Sequence, residues 1–298
     1  MLIQWYLGHM AKARRMLIEN LKLIDVVVEI VDARAPRATR NPDFDDLFSQ
    51  KQRVILLNKS DLASPQETKA WVEYYRRQGI AAIEFVATNS AKKKAAVTLI
   101  ENAASEKVKR MREKGINKVV RAMVVGIPNV GKSTFINRIA GATRAQVGDK
   151  PGVTKGKQWV KVSPYLELMD TPGLLWPKLE DEGLAAHLAY IGSIKDDIMD
   201  VERLASGLLS ELNVICPAEL AARYKKITPE MPREELLEAV CRSRGFILSG
   251  NEADTERAAR IVLDEYRAGK IARVTLDRVN EPMPEPNPEE EANDGTAE

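Results

Sequence analysis

A strand followed by a glycine-rich loop constrains the fold of this chain more than any other feature. Residues 118–125 are mostly β-branched and apolar, which predicts a buried strand. Gly126, four further residues and Gly-Lys-Ser at 131–133 match the phosphate-binding loop pattern, and residues 133–139 continue with helical spacing. Glycines in such a loop let backbone N–H groups turn toward phosphate oxygens, and the helix start adds positive partial charge. The segment therefore predicts a nucleotide-binding strand, loop and helix.

Two side chains of this loop predict its chemistry. Lys132 would reach the β- and γ-phosphates and act in catalysis, and the Ser133 hydroxyl would hold Mg²⁺. The predicted nucleotide-binding residues of the loop are Asn129, Val130, Gly131, Lys132, Ser133 and Thr134.

A second motif predicts which base is bound. Residues 58–61, Asn-Lys-Ser-Asp, follow a predicted strand, the position at which open α/β sheets bind ligands. The Asp61 carboxylate can accept hydrogen bonds from the ring N–H and the exocyclic amine of guanine, a donor pair that adenine lacks. Alone, this tetrapeptide is equally a polar turn; beside a phosphate loop it predicts guanine recognition through Asn58, Lys59 and Asp61.

A third motif completes the predicted site. Asp170 and Gly173, in Asp-Thr-Pro-Gly, would supply a carboxylate to the Mg²⁺ shell and an N–H group to the γ-phosphate. Many GTPases place a glutamine directly after this glycine to orient the attacking water. Here the position is Leu174, which can neither donate nor accept a hydrogen bond. Hydrolysis is therefore slow without help, or another residue orients the water.

Composition predicts a cytoplasmic protein with two structural domains and an acidic tail. Residues 281–298 contain seven acidic residues and no basic one, and residues 1–280 carry a net charge of +9. No apolar run approaches the length that spans a bilayer, and the two cysteines have no metal-site spacing. A basic body favours a polyanionic partner such as nucleic acid, although a mildly basic surface without a partner fits equally well.

The order of elements predicts an α/β fold followed by a small all-α domain. Strands are predicted at 26–31, 54–57, 80–87 and 118–125, with a hairpin over 157–169, and helices at 9–24, 65–78 and 95–114. This alternation predicts a mostly parallel sheet with helices on both faces over residues 1–178. Residues 179–270 show helical patterns only and 274–279 are ambiguous, so the helical domain is predicted to span 179–280. Residues 281–298 are predicted to be disordered.

Five motifs in an unusual order connect the chain to a known family. The sequences GIPNVGKS, PGVT, DTPG, NKSD and SAK resemble the motifs of a translation-factor-class GTPase, but the base-reading motifs precede the phosphate loop. This order is similar to that of the circularly permuted GTPases. With WYLGHMAKA at the start and VDARAP at 31–36, the chain resembles the YlqF-type family, ribosome biogenesis GTPase A.

The resemblance implies a GTP hydrolase that acts late in assembly of the large ribosomal subunit. It implies GTP and GDP as ligands, Mg²⁺ as cofactor, the subunit precursor and its rRNA as partners, no membrane, and a monomer away from the ribosome. Thr154 of PGVT would ligate Mg²⁺ and act in catalysis, and Asn89, Ser90 and Ala91 would contact the base. Gly173 would act in catalysis as well as in binding.

The resemblance also implies roles for two further residues. The family assigns water orientation to the amino-terminal histidine, which matches His9; from sequence alone, a lone histidine that packs or caps its helix is the simpler interpretation. Leu7 stands where the family usually has proline. Asn129 matches the position that helps hold K⁺ in potassium-stimulated relatives, and it is equally typical of a turn asparagine.

The helical region is expected to contact structured RNA. Its basic residues predict salt-dependent binding to phosphates, although charged helix faces are more often only solvated. These residues are Arg223, Lys225, Lys226, Arg233, Arg242, Arg244, Arg257, Arg260, Arg267, Lys270 and Arg273. Two alternatives remain: an RNA-binding assembly placeholder whose nucleotide is rarely hydrolysed, and a phosphotransferase, for which no acceptor-binding lid is evident.

Overall fold

A computed structural model describes residues 7–141, 158–175, 181–194 and 200–279 of the chain. The predictions for Thr154, for the PGVT motif and for the acidic tail fall outside these residues. Within the described ranges no helix is both long enough and apolar enough to cross a bilayer.

A six-stranded sheet forms the centre of the first part of the chain. Its strands are β1 (Val26–Asp32), β2 (Gln52–Asn58), β3 (Ala81–Glu84), β4 (Val120–Val125), β5 (Gln158–Ser163) and β6 (Leu166–Asp170), in the spatial order β3-β2-β1-β4-β6-β5. Every neighbouring pair is parallel except β5 and β6. The predicted α/β class and mostly parallel sheet are confirmed. The carboxyl ends of β1, β2, β4 and β6 therefore share one edge.

Helices cover both faces of this sheet. They are α1 (Leu7–Leu21), α2 (Asp43–Leu47), α3 (Pro65–Arg77), α4 (Lys93–Ala103), α5 (Ser105–Glu113) and α6 (Lys132–Ala140). On one face, alternate residues of β1 and β4 pack with α1 and α2 around Leu17 and Phe44. On the other face they pack with α4 and α6 around Ile100 and Phe135. Alternation along central strands thus fills two separate apolar layers.

The predicted single helix over 95–114 is wrong, because the chain breaks at Ala104 into α4 and α5. α4 buries Ala96 and Ile100 against the sheet, and Ala104 is buried as well. α5 buries no residue, since its sequence is almost entirely polar. Packing against the sheet therefore fixes the direction of α4, whereas no buried side chain fixes α5 to the same direction. The predicted strand over 80–87 is also shorter, ending at Glu84.

The second part of the chain is helical, as predicted. It contains α7 (Glu182–Tyr190), α8 (Val201–Ile215), α9 (Pro217–Arg223), α10 (Arg233–Arg244) and α11 (Thr255–Arg267). These helices pack around α8, which buries Leu204, Leu208 and Leu212.

After α11, residues 273–278 return to the first part of the chain without forming a helix or strand. Thr275 Oγ1 donates to Ala33 O at 2.9 Å, and Leu276 N donates to Arg34 O at 2.7 Å. Trp71 Nε1 donates to Asp277 O at 2.9 Å. The segment whose structure was ambiguous from sequence is thus a strap that closes the helical part onto the sheet.

Candidate nucleotide-binding site

The phosphate loop follows β4 at the carboxyl edge of the sheet. Gly126 has φ +148°, and a Cβ there would lie 2.5 Å from Ile30 O. Gly131 has φ +97° and precedes the first turn of α6, where Lys132, Ser133 and Thr134 lie. Both glycines are therefore required by the path of the backbone. The predicted strand, loop and helix are present in that order, with the helix start facing the loop.

Lys132 is the most chemically distinct residue of this loop. Its side chain is buried, and Nζ donates to Ile127 O at 2.7 Å. Burial lowers the pKa of the Lys132 ammonium group to about 8, and the nearby Asp170 carboxylate offsets only part of this effect. An ammonium group in this environment gains more from an added phosphate charge than an exposed one does.

Ser133 and Asp170 meet beside Lys132. Ser133 Oγ donates to Asp170 Oδ2 at 2.9 Å, and Asp170 is fully buried at the end of β6. Mg²⁺ prefers hard oxygen ligands and binds through one or two protein groups together with phosphate oxygens and water. The two side chains fit this donor set. Within the described ranges no group of three or more His, Cys, Asp or Glu could hold a metal ion.

The loop after β6 lies directly against the phosphate loop. A Cβ on Gly173 would lie 2.7 Å from Pro128 N and 2.9 Å from Pro128 Cα, so that only glycine allows this approach. Leu174 N donates to Gly126 O at 3.2 Å. Leu174 itself is buried with Leu17 of α1 in the apolar layer beneath the sheet. The position that is glutamine in many GTPases is a core position here.

Asn58 joins three of the predicted motifs. Its Nδ2 donates to Val130 O at 2.7 Å, and its Oδ1 accepts from Ala87 N at 2.9 Å. A Cβ on Gly131 would lie 2.3 Å from the same Nδ2. The amide thus holds the end of β2, the phosphate loop and the loop after β3 together. Asn58 therefore has a structural role in the site, because it fixes the positions of the surrounding loops.

Lys59 and Asp61 occupy the turn that follows β2. Lys59 has φ +58°, and its Nζ donates to Asn129 O at 2.9 Å. Asp61 is exposed, and its charge acts on Arg34. Asn89, Ser90 and Ala91 are also exposed, and they form a turn in which Asn89 Oδ1 accepts from Ala91 N at 3.0 Å. These loops follow adjacent strands, which brings both predicted base-contacting segments to one edge.

Asp32 and Arg34 brace this turn, a role that the sequence analysis missed. Arg34 donates to both carboxylate oxygens of Asp32, from Nε at 2.9 Å and from Nη2 at 2.7 Å, and both side chains are buried. Lys59 Nζ lies 2.9 Å from Asp32 Oδ2. Burial alone would raise the pKa of Asp32, but the Arg34 and Lys59 charges outweigh it and hold the pKa below its usual range. The signal was an aspartate at a strand end with arginine two residues later.

The helical part contacts both halves of the site. Asn129 Nδ2 donates to Gly192 O, after α7, at 2.8 Å. Arg273 Nη2 donates to Ser60 O at 2.9 Å, and Arg34 Nη1 donates to Arg267 O at 3.3 Å. The phosphate loop and the turn at residues 58–61, here called the base-reading turn for its predicted role, therefore each contact the part of the chain that follows residue 181.

Two predicted catalytic residues are not placed beside this site by the structure. His9 lies in the first turn of α1, and its side chain is outside the described residues, as is all of Thr154. α1 nevertheless packs through Leu17 against the layer that holds Leu174. The helix that carries His9 is therefore anchored to the loop after β6.

The pKa of Lys132 predicts a pH dependence of nucleotide binding. Bound phosphates favour the charged ammonium group, so GDP binding should take up a proton once the pH exceeds about 8. We expect GDP affinity to be nearly constant below about pH 7 and to fall toward tenfold per pH unit above 8. Calorimetry at pH 7 and pH 9 in buffers of different ionisation enthalpy measures the proton uptake. Lys132→Arg, which stays charged, is the control, and equal uptake at both pH values would contradict the prediction.

Known proteins are similar in sequence to this chain over nearly its whole length. A family model described as "50S ribosome-binding GTPase" matches residues 121–216. "Ribosome biogenesis GTPase A" of Priestia megaterium is 46% identical, covering 94% of this chain and 98% of that protein. The protein of the same name from Thermotoga maritima is 35% identical, covering 95% and 97%.

Solved structures share the fold. The GDP-bound YlqF structure superimposes with a TM-score of 0.63 at 30% identity, covering 88% of this chain and 98% of that one. A GNP-bound YlqF from Thermotoga maritima gives a TM-score of 0.61 at 32% identity, covering 90% and 98%. Together with the permuted order of the phosphate and base-reading loops, these similarities show that the chain is a GTP hydrolase belonging to the ribosome biogenesis GTPase A family.

Proposed function

We propose that this GTPase acts on a precursor of the large ribosomal subunit, late in its maturation, and contacts rRNA. The "50S ribosome-binding" description of the matching family model supports the choice of subunit. The meeting of the turn after β2, Lys132 and Asp170 at one sheet edge supports the enzymatic half of the proposal. In this proposal Asp61 recognises the base, Lys132 meets the phosphate charge and Asp170 binds the metal ion.

In this proposal the site residues act by position and charge. Asp61 selects guanine, while the phosphate-loop N–H groups and Lys132 neutralise the β- and γ-phosphates. Ser133, Asp170 and Thr154 would hold Mg²⁺, which polarises the phosphates when bound. The Gly173 N–H would donate a hydrogen bond to the γ-phosphate. K⁺ beside Asn129 is a further candidate, and equal turnover in potassium and sodium salts would exclude it.

The helical part supplies fewer free cations than its sequence suggests. Arg223 and Arg244 both bind Glu265, and Arg267 donates to the backbone oxygens of Tyr190 and Ala189. Arg242 and Arg260 pair within their own helices. We propose that rRNA contact from this part relies on the exposed Lys225, Lys226 and Lys270.

The decisive experiment measures GTP turnover of the purified protein with separated ribosomal subunits. Without them, turnover should be on the order of 10⁻⁴–10⁻² per second, as in unassisted GTPases. Purified large-subunit precursors should accelerate it strongly and small subunits should not. Stimulation by small subunits would refute the proposed partner, and stimulation by neither would refute subunit-stimulated hydrolysis.

His9 is proposed to orient the attacking water in place of the missing glutamine. α1, the helix that carries His9, packs on the layer that contains Leu174, which directly follows Gly173. In this proposal a bound precursor places His9 at the phosphates. We expect His9→Ala to lower subunit-stimulated turnover by about 10²-fold, with GTP affinity nearly unchanged. Glu19→Ala, an exposed change on the same helix, is the control. Unchanged stimulated turnover in His9→Ala would remove His9 from the mechanism.

The burial of Leu174 favours one alternative, an RNA-binding placeholder whose nucleotide is rarely hydrolysed. In that case precursors would bind the GTP form tightly, and single-turnover hydrolysis would stay at the unassisted rate. The subunit-stimulation experiment therefore separates the two functions.

A further inference from the structure

The positive charge of the chain lies in the part that contains the nucleotide site. Residues 1–178 contain 31 Lys and Arg against 17 Asp and Glu, a net charge of +14. Residues 179–280 contain 14 against 19, a net charge of −5. The helical part is therefore acidic overall, and a polyanion is attracted mainly to the first part.

Much of this positive charge is concentrated around one helix. Residues 92–118 contain nine basic and three acidic residues. α5 has no buried residue, and the basic side chains that it and the following turn expose have no ion-pair partner in the described part of the chain. These side chains are Lys109, Arg110, Arg112 and Lys114.

Three more lysines gather around a single carboxylate beside α5. Lys107 Nζ lies 2.5 Å from Asp25 Oδ1, and Lys118 Nζ lies 2.9 Å from Asp25 Oδ2. Lys51 Nζ donates to Ile24 O at 3.0 Å, one residue away. Burial lowers the pKa of Lys51, and the Lys107 charge lowers it further. One carboxylate facing three ammonium groups leaves an excess of positive charge.

This cluster lies at the edge of the sheet opposite the nucleotide. Asp25 precedes β1, Lys51 precedes β2 and Lys118 precedes β4, three strands that run parallel. Their amino ends therefore share one edge, while the phosphate loop and base-reading turn follow their carboxyl ends. Charge at this edge is not needed for nucleotide binding.

From this geometry we propose that the first part of the chain has its own binding face for the phosphate backbone of double-helical RNA. The face, here called the α5 basic face, consists of Lys51, Lys107, Lys109, Arg110, Arg112, Lys114 and Lys118. The proposal rests on the proposed ribosomal partner, but it assigns the main RNA contact to α5 and not to the helical part.

The chemistry of the face selects an RNA duplex among polyanions. α5 has no aromatic residue on which the bases of a single strand could stack. Its two apolar side chains, Val108 and Met111, are half-buried, so the helix has no exposed apolar stripe that could enter a lipid surface. Closely spaced cations without base-reading groups suit shape recognition of a duplex.

The test compares two triple variants with equal loss of charge. Lys109→Ala/Arg110→Ala/Arg112→Ala removes three exposed cations of α5, whereas Lys69→Ala/Arg76→Ala/Arg77→Ala removes three exposed cations of α3. Binding to an RNA duplex of about 16 base pairs and to large-subunit precursors is measured over a range of salt. The α5 variant should lose roughly tenfold or more in both affinities, with a salt slope shallower by about one per removed contact. Basal GTP turnover and melting temperature should equal those of the α3 control.

Other outcomes separate this inference from the proposed function. Equal RNA affinity in the two variants overturns the inference, and so does loss of binding only in Lys225→Ala/Lys226→Ala/Lys270→Ala. In both cases the proposed function stands if precursors still bind. A wild-type protein that binds neither duplex nor precursor refutes the proposed function as well. Loss of binding to anionic phospholipid vesicles, with RNA binding unchanged, assigns the face to a membrane and overturns the inference.

Discussion

Asp61→Asn is expected to lower GTP affinity by on the order of 10³-fold or more and to create tight binding to xanthosine triphosphate (XTP). In the proposed binding mode the Asp61 carboxylate accepts from both the ring N–H and the exocyclic amine of guanine. An asparagine amide keeps one acceptor and turns a donor toward the amine, which leaves two donors facing each other. Xanthine has a carbonyl oxygen in place of that amine, so the asparagine donor regains a partner.

Competition binding with GTP, XTP and ATP measures this exchange directly. The wild-type protein should bind GTP best, and the variant should bind XTP best, while ATP stays weak in both. Ser60→Ala is the control, because the Ser60 hydroxyl is buried and donates to Phe85 O. If Asp61→Asn still prefers GTP, then Asp61 does not face the nucleotide base.

Arg34→Ala should produce the largest loss of stability of any single change considered for this chain. The change leaves the Asp32 carboxylate buried with only Lys59 as a charged partner, and removing one member of a buried pair costs about 3–5 kcal/mol. The full decrease in the free energy of unfolding should be observed at neutral pH. Because the folded-state pKa of Asp32 is lowered, the stabilisation from this pair is present above the ordinary carboxyl pKa and disappears only as the pH falls through the lowered value.

Urea unfolding monitored by tryptophan fluorescence measures the free energy of unfolding of this variant. Arg242→Ala is the matched control, since its exposed pair with Glu238 on one helix should contribute only about 0.3–0.5 kcal/mol. GTP affinity should also fall in Arg34→Ala, because Lys59 and the base-reading turn lose their brace. A loss below about 1 kcal/mol would mean that Asp32 finds another partner.

The site could be predicted from sequence because its residues follow strands with clear local patterns. The apolar runs ending at Asp32, Asn58, Val125 and Asp170 identify buried strands, and parallel strands bring their carboxyl ends to one edge. The glycines of the phosphate loop match the positive φ angles that the loop adopts. These features need no knowledge of distant parts of the chain.

What could not be predicted depends on contacts between distant residues. The bond from Arg34 to Arg267 spans 233 residues, and that from Arg273 to Ser60 spans 213. The arginines of α9 to α11 suggest RNA contact when only the sequence is known, yet several of them bind Glu265 or backbone oxygens. Charge alone does not distinguish a cation offered to RNA from one that holds two helices together.

The strap at residues 273–278 has a consequence for how the protein matures as it is translated. Strands β1 and β2 emerge first, but the loops that follow them are bonded to the strap last. Arg273 donates to Ser60 O, Thr275 donates to Ala33 O, and Ala38 N donates to the Asp277 carboxylate. About two hundred residues are therefore synthesised between the base-reading turn and the segment that fixes it. A nascent chain already exposes its phosphate loop while that turn still lacks these bonds. We therefore expect tight GTP binding only after nearly the whole polypeptide has left the ribosome that makes it.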